Sequence, residues 1–228
     1  MSEKQAIFTL MGGRVRMHRG RYNPTSDAVW LAAFAPRGMI KVLDVGIGTG
    51  GASLCVMANN PGTELTGLDI SPEMLDECAQ NAILNEHSVE LINTDITTWR
   101  TTRTFDLVIT NPPYFRGTPA KHNAHHNADI TTWTRRCIAR IRPRGYICII
   151  ISPDRITDVL GAMAGHCGDT EILPLFGGNP HMAERVLIRA RVGTRGGARI
   201  WSGLPMNYPP ILRDGLTIDD VLTRLGWI

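Results

Sequence analysis

The sequence predicts an α/β fold: a mostly parallel, seven-stranded twisted sheet with helices on both faces and an antiparallel edge strand. Three observations predict it. Short β-branched runs alternate with helical stretches through the first two thirds of the chain, which implies right-handed crossovers and parallel pairing. A glycine turn, Asp44-Val45-Gly46-Ile47-Gly48-Thr49-Gly50, follows one such run and opens a helix. Two late runs are separated by the turn-rich Gly177-Gly178-Asn179-Pro180, as an antiparallel pair would be.

The elements follow in order. From Thr25 or Ser26 to about Phe34 a hydroxyl cap precedes apolar Val29, Trp30, Leu31 and Phe34, and Pro36 and Gly38 stop the helix. Lys41 to Val45 is a short buried strand, and Ala52 to Ala58 continues as a helix after the glycine turn. Glu64 to Leu68 is a strand ending at Asp69, and Ser71-Pro72-Glu73-Met74 opens a capped helix that runs to about Asn85. Val89 to Asn93 and Phe105 to Thr110 are the third and fourth strands. Arg116 to Asn127 has no periodicity and reads as a loop, either an ordinary surface loop or a lid over a pocket. Ile130 to Ile141 is a helix, Gly145 to Ile151 the fifth strand, Asp154 to roughly Ala164 another helix, and Glu171 to Phe176 and Arg185 to Val192 the closing strands. The chain reads as one domain, residues 1–228, with 1–38 an N-terminal cap and 194–228 a C-terminal appendage carrying a short helix from Ile218 to Leu225.

Composition excludes several classes. The 43% hydrophobic and 20% charged fractions are those of a soluble globular chain. The apolar stretch Tyr146 to Ile151 falls far short of the roughly 20 residues of a membrane span, and the charged start Met1-Ser2-Glu3-Lys4-Gln5 lacks a signal core, so a cytoplasmic location is expected. Cys55, Cys78, Cys137, Cys148 and Cys167 form no Cys-x-x-Cys pair, and His122, His125 and His126 lack a complete ligand set; no metal is expected. The net charge of +3 is modest, but Arg14, Arg16, His18, Arg19 and Arg21 crowd one segment and Arg185, Arg189, Arg191, Arg195 and Arg199 another. Such clusters are either solvated faces or an electrostatic footprint for nucleic acid.

The most informative residues are Asn111-Pro112-Pro113-Tyr114, directly after the fourth strand. Two prolines hold the backbone extended and keep the Pro112 carbonyl out of any helix. An amide oxygen, a free carbonyl and an aromatic face then stand together, a set suited to a planar amine about to be methylated. Each oxygen accepts one N–H and turns the nitrogen lone pair toward a methyl donor, so orientation and fixed dipoles carry the rate. Tyr114 and Phe115 either stack on the flat substrate or pack as core aromatics.

Ligands of open parallel sheets bind beyond the carboxyl ends of the strands, where strand order reverses, and Gly46, Asp69, Asp95 and Asn111 all fall at such ends. Glycines 46, 48 and 50 admit close backbone approach. Asp69, about twenty residues on, is placed for ribose hydroxyls, and Asp95 for an adenine amine; the bland alternative for both is a turn or cap. Asp44, Thr49, Ile70 and Ile96, beside these positions, join the candidate cofactor contacts, as does Asn111. The glycine turn alone also suits the pyrophosphate of a dehydrogenase; Asn-Pro-Pro-Tyr favours S-adenosyl-L-methionine.

On these residues the chain resembles the bacterial tRNA(Val) adenine-N6 methyltransferases, within the wider small-domain methyltransferases. The resemblance runs through Tyr22 to Ala33 with Thr25-Ser26-Asp27, Asp44 to Gly50, Asp69, Asp95, Asn111 to Phe115 and Ala183 to Ile188. It implies a Rossmann-like class I methyltransferase fold, S-adenosylmethionine as cofactor, RNA as partner, and Asp27 as a cofactor contact or a helix cap. Asn111, Pro112, Pro113 and Tyr114 would be catalytic; Tyr114, Phe115, Arg14, Arg16 and Arg19 would bind substrate. The chain has Arg21-Tyr22-Asn23-Pro24 where the family shows an aromatic-basic-phenylalanine pattern, and Asp69 where Glu is common. Similar motifs serve enzymes that methylate release-factor glutamine, guanine of ribosomal RNA or adenine of DNA. A non-catalytic cofactor-binding module would have no use for Asn111 and Tyr114.

Overall fold

The computed structural model describes residues 6–20, 22–113 and 129–228. Tyr114, Phe115, the 116–127 loop with its histidines, and Arg21 lie outside the described residues.

The chain begins with a hairpin, β1 (Ile7–Leu10) and β2 (Val15–His18), followed by α1 (Ser26–Phe34), β3 (Lys41–Val45), α2 (Gly51–Asn59), β4 (Glu64–Asp69), α3 (Pro72–Leu84), β5 (Val89–Asn93) and β6 (Phe105–Thr110). Then come α4 (Ile130–Ile138), β7 (Ile141–Ile151), α5 (Ile156–Met163), β8 (Cys167–Phe176) and β9 (Ala183–Val192). The tail holds β10 (Ala198–Ile200), β11 (Leu204–Pro205), α6 (Pro209–Leu212) and α7 (Ile218–Arg224). The main sheet runs β10-β8-β9-β7-β6-β3-β4-β5, with β11 also on β8. Every pairing among the described strands of this sheet is parallel except those of β9, which enters antiparallel between β7 and β8. The mostly parallel Rossmann-like sheet is thus present, and two short tail strands extend the expected seven to nine.

Strand order reverses at β3, whose neighbours are β4 on one side and β6 on the other. The registers Val45↔Leu68 and Val45↔Thr110 bring the carboxyl ends of all three strands into one row. One face of the sheet is covered by α1, α2, α3 and the tail helices, the other by α4 and α5. Buried Trp30, Leu31 and Phe34 make α1 apolar all round, as a helix enclosed by protein must be. The tail encloses it: Ile211, Ile218, Val221 and Leu222 are buried in the same core, and Trp30 Nε1 donates to Met206 O at 2.9 Å. The segment expected as an appendage therefore packs into the main core.

Two local expectations shift. The helix expected to reach Ile141 ends at Ile138, because Ile141 already pairs with Phe105; a bulge follows before Leu107 pairs with Tyr146. The first twenty residues, read only as a basic segment, contain the hairpin, whose inward Val15 and Met17 alternate with outward Arg16 and His18. Cys55, Cys78, Cys137 and Cys148 are buried free thiols, and burial pushes Cys55, Cys78 and Cys148 up to about 12, so they serve packing. No helix among the described residues is long and apolar enough to cross a membrane, and no metal-ligating cluster occurs among them.

Candidate active site

The glycine turn leaves β3 and folds against the end of β4. Gly46 and Ile47 both donate to Leu68 O (2.9 and 3.0 Å), and Gly50 donates to Ile47 O at 3.0 Å. Gly46, Gly48 and Gly50 all have positive φ (77°, 54° and 89°), a conformation costly for side-chain-bearing residues. A Cβ added to Gly48 would meet nothing within 4 Å among the described residues, so this part of the turn borders open space. The Thr49 hydroxyl, buried beside it, has no hydrogen-bond partner among the described residues.

Asp69 is held by the turn itself. Gly48 N donates to its Oδ2 at 2.8 Å and Ser71 N to its Oδ1 at 3.0 Å, which fixes the carboxylate at the end of β4 while each oxygen keeps a lone pair. Asp44, 2% exposed, accepts from Ser53 Oγ at 2.6 Å. Burial pushes its carboxyl up to about 7 against the Ser53 bond, with the Asp69 charge adding to the rise. Next along the sheet, Asp95 Oδ1 accepts from Thr97 N at 2.7 Å, Ile96 is buried, and Ile70 stands 47% exposed beyond Asp69. Asn93 Nδ2 donates to Asp69 O at 3.0 Å, tying the ends of β4 and β5 together. The row Gly48, Asp69, Ile70 and Asp95 thus offers backbone approach, a carboxylate, an apolar surface and a second carboxylate beyond the ends of β3, β4 and β5.

On the other side of β3, Thr110 ends β6. Its hydroxyl donates to Val45 O at 2.7 Å and accepts from Trp133 Nε1 at 3.0 Å. This joins the strand that carries Asn111 to the one that carries the glycine turn. Asn111 is half-buried, Pro112 buried and Pro113 exposed. A Cβ on Gly46 would lie 3.5 Å from the Trp133 ring, so that indole packs on the turn. Trp133 was not singled out from the sequence; a lone tryptophan on a strongly amphipathic helix gave only a packing signal.

Asp27 lies in the first turn of α1, 2% exposed, and accepts from Arg185 Nε at 2.9 Å. The capping role belongs to Thr25, whose side chain accepts from Asp27 N. Since β9 is antiparallel, its first residues, Arg185 among them, stand at the carboxyl ends of the parallel strands.

The arginines divide. Arg14 donates to Ala58 O at 2.6 Å and to Gly215 O at 3.1 Å, and Arg16 donates to Leu84 O. Ala58 belongs to the last turn of α2, the end remote from the glycine turn, so the structure does not bring Arg14 to the site; Leu84 belongs to the last turn of α3, where Arg16 is held. Both arginines satisfy carbonyls that a helix end leaves unpaired. Arg19 lies over the Phe8 ring, 5.7 Å from its centroid, and is exposed. Of the late cluster, Arg189 is buried in an ion network.

A protein-family model, the methyltransferase small domain, matches residues 25–168. The tRNA1(Val) (adenine(37)-N6)-methyltransferase of a Flavobacteriaceae bacterium is 29% identical over 144 residues, covering 60% of this chain and 62% of that protein. The release factor glutamine methyltransferase of Flavobacterium psychrophilum is 32% identical over 83 residues, covering 36% of this chain and 29% of that protein. The chain thus spans less than two thirds of the length of these curated relatives. Among solved structures, the 16S rRNA N2 methyltransferase of T. thermophilus, in complex with AdoMet and guanosine, matches with a TM-score of 0.59 at 19% identity, covering 83% of this chain and 50% of that one; the likeness is one of fold. The family match begins at the cap of α1, takes in the turn, both carboxylate-bearing strand ends and the Asn-Pro-Pro segment, and stops at the start of β8: this chain belongs to the methyltransferase small domain family.

Proposed function

We propose that the protein is an S-adenosylmethionine-dependent methyltransferase acting on the exocyclic amine of adenine in RNA, most simply a tRNA, in the cytoplasm. The observation that carries this reading is the register Val45↔Thr110, which sets Asn111 and Pro112 one strand from the glycine turn at the reversal of strand order.

The residues present fit the cofactor. Open space at Gly48, the unpartnered Thr49 hydroxyl and the braced Asp69 carboxylate are what a nucleoside with a polar amino-acid end needs. Asp69 would accept the ribose hydroxyls and Asp95 the adenine amine, with Ile70 and Ile96 against the base; Asp27, Asp44, Gly46, Gly50 and Asn111 would complete the contacts. Bound there, the cofactor supplies a methyl group on a sulfonium.

The chain's own part is to hold the amine. Asn111 Oδ1 and Pro112 O would each accept one N–H, biasing the nitrogen away from conjugation with the ring, with Pro113 holding the segment extended and Tyr114 and Phe115 stacked on the base. No base is needed before attack, since the proton leaves from the methylated cation. The target must be unstacked or flipped out at a cost of a few kcal/mol, and among the described residues exposed Arg19, with no carbonyl partner like those of Arg14 and Arg16, is the arginine of the early cluster best placed to meet phosphate. The name of the Flavobacteriaceae relative supports adenine as the acceptor. The shorter match to a glutamine methyltransferase keeps a side-chain amide as the competing acceptor, since the same two oxygens would hold it. Incubation of pure protein with methyl-labelled cofactor and total cellular RNA, followed by nucleoside analysis, tests the reading. Label is expected in N6-methyladenosine; label confined to protein would overturn it.

A further inference from the structure

Asn81, late in α3, belongs to none of the motifs above, yet it is 1% exposed and both ends of its amide are engaged. Its Nδ2 donates to Thr49 O, inside the glycine turn, at 3.0 Å, and its Oδ1 accepts from His18 N of β2 at 2.8 Å. One helical turn on, Asn85 Oδ1 accepts from Arg16 N at 2.8 Å and Asn85 Nδ2 donates to Arg16 O at 2.6 Å. Residues four apart share a helix face, and alternate residues of a strand point their backbone groups the same way. The two asparagines therefore close the free edge of β2 as a neighbouring strand would. Asn85 otherwise reaches only back into its own helix, Nδ2 donating to Asn81 O at 2.7 Å, while the Asn81 side chain continues to the turn.

Thr49 O precedes the Gly50 cap of α2, so the helix ladder supplies it no donor; Leu54 N bonds Gly50 O instead. The Asn81 amide is what holds that carbonyl, and it does so from the helix against which the hairpin docks. We propose that Asn81 is a positioning residue for the cofactor: it fixes the glycine turn and couples its geometry to the docking of the β1–β2 hairpin. This rests on reading the turn as the cofactor-binding loop. Coupling is reciprocal, so ligand in the turn should tighten the hairpin as much as a docked hairpin tightens ligand binding.

Two substitutions separate this from simple stabilisation. Asn85→Ala removes two hairpin bonds but leaves the hairpin docked on Asn81 and the Asn81 link to the turn intact, whereas Asn81→Asp keeps the acceptor for His18 N but loses the donor to Thr49 O. Melting temperature and calorimetric Kd for S-adenosylhomocysteine are measured for both. Asn85→Ala is expected to melt earlier with Kd within about twofold of wild type, and Asn81→Asp to weaken binding by about tenfold or more. An unchanged Kd in Asn81→Asp would overturn the proposal. If that variant fails to fold, hydrogen exchange of the wild-type protein decides: saturating S-adenosylhomocysteine should slow exchange in residues 7–18, and no change there would overturn it. Wild-type protein that binds no S-adenosylhomocysteine would sink the cofactor reading itself, and this coupling with it.

Discussion

Replacing Arg189 with Met tests whether the tail and the sheet unfold as one unit, as proposed for the chain. The guanidinium sits in the middle of β9 with 7% of its side chain exposed. Its Nη2 lies 2.8 Å from Glu171 Oε1 on β8 and 2.9 Å from Asp219 Oδ1 on α7, and its Nη1 donates to Phe34 O at 3.1 Å. The charge also lies over the Phe34 ring, 4.8 Å from its centroid. Methionine fills similar volume but leaves two carboxylates facing each other and the α1 carbonyl without this donor. Removing one partner of a buried network costs about 3–5 kcal/mol. Asp219 is 45% exposed on its side chain and can rehydrate, so the lower end, about 3 kcal/mol, is expected. For a chain of this size that lowers Tm by roughly 6–12 °C. Urea titration read by tryptophan fluorescence and far-ultraviolet circular dichroism measures it, because Trp201 bonds Glu171 Oε2 at 3.2 Å and stacks on Trp227, both in the tail. Coincident transitions at a lower midpoint are expected, with part of the loss recovered in Arg189→Met/Glu171→Gln/Asp219→Asn. A loss below about 1 kcal/mol, or a wild-type fluorescence transition ahead of the dichroism, would refute the reasoning.

Two further outcomes follow from the turn. Gly48→Ala meets open space among the described residues and should cost about 1 kcal/mol of stability through its positive φ. It should weaken S-adenosylhomocysteine binding far more by calorimetry, since the new methyl occupies the space reserved for ligand; equal affinity would mean the ligand lies elsewhere. Asp44 has a folded pKa of about 7, raised by burial from 3.8, so the native state binds the extra proton and stability from this group falls as pH rises between about 4 and 7. Asp44→Asn, which still accepts from Ser53, should therefore gain stability over wild type progressively as pH rises from about 4 to 7, by up to a few kcal/mol, read as a rising Tm difference; a pH-independent difference would contradict the assignment.

The parallel core was legible because the strands from β3 to β7 hold apolar runs closed by turn signals, α1 and α3 carry their own side-chain caps, and α2 opens on the glycine turn. Thr25 and Ser71 were readable as caps, and their side chains accept bonds from Asp27 N and Met74 N. The site residues that end strands were legible for the same reason, since a sheet's polarity fixes where its carboxyl ends gather. Long-range pairings were not. The hairpin is only four residues a strand, and its edge is closed by Asn81 and Asn85, more than sixty residues away. Arg14 and Arg16 looked like a nucleic-acid footprint because sequence shows charge without showing that helix-end carbonyls already hold it. Trp133 enters the site from an element later in the chain and nothing local marks it; Arg185 was legible as a member of the late cluster but not as the partner of Asp27.

In the proposed function Asn111 and Pro112 hold an amine beside the cofactor turn. The most direct test is methyl transfer to RNA by Asn111→Ala beside calorimetric binding of S-adenosylhomocysteine. Cofactor affinity within a few-fold of wild type is expected, with turnover reduced by about 10²–10³, the usual loss of a preorganised hydrogen-bonding group. Full turnover with normal cofactor binding would contradict that role.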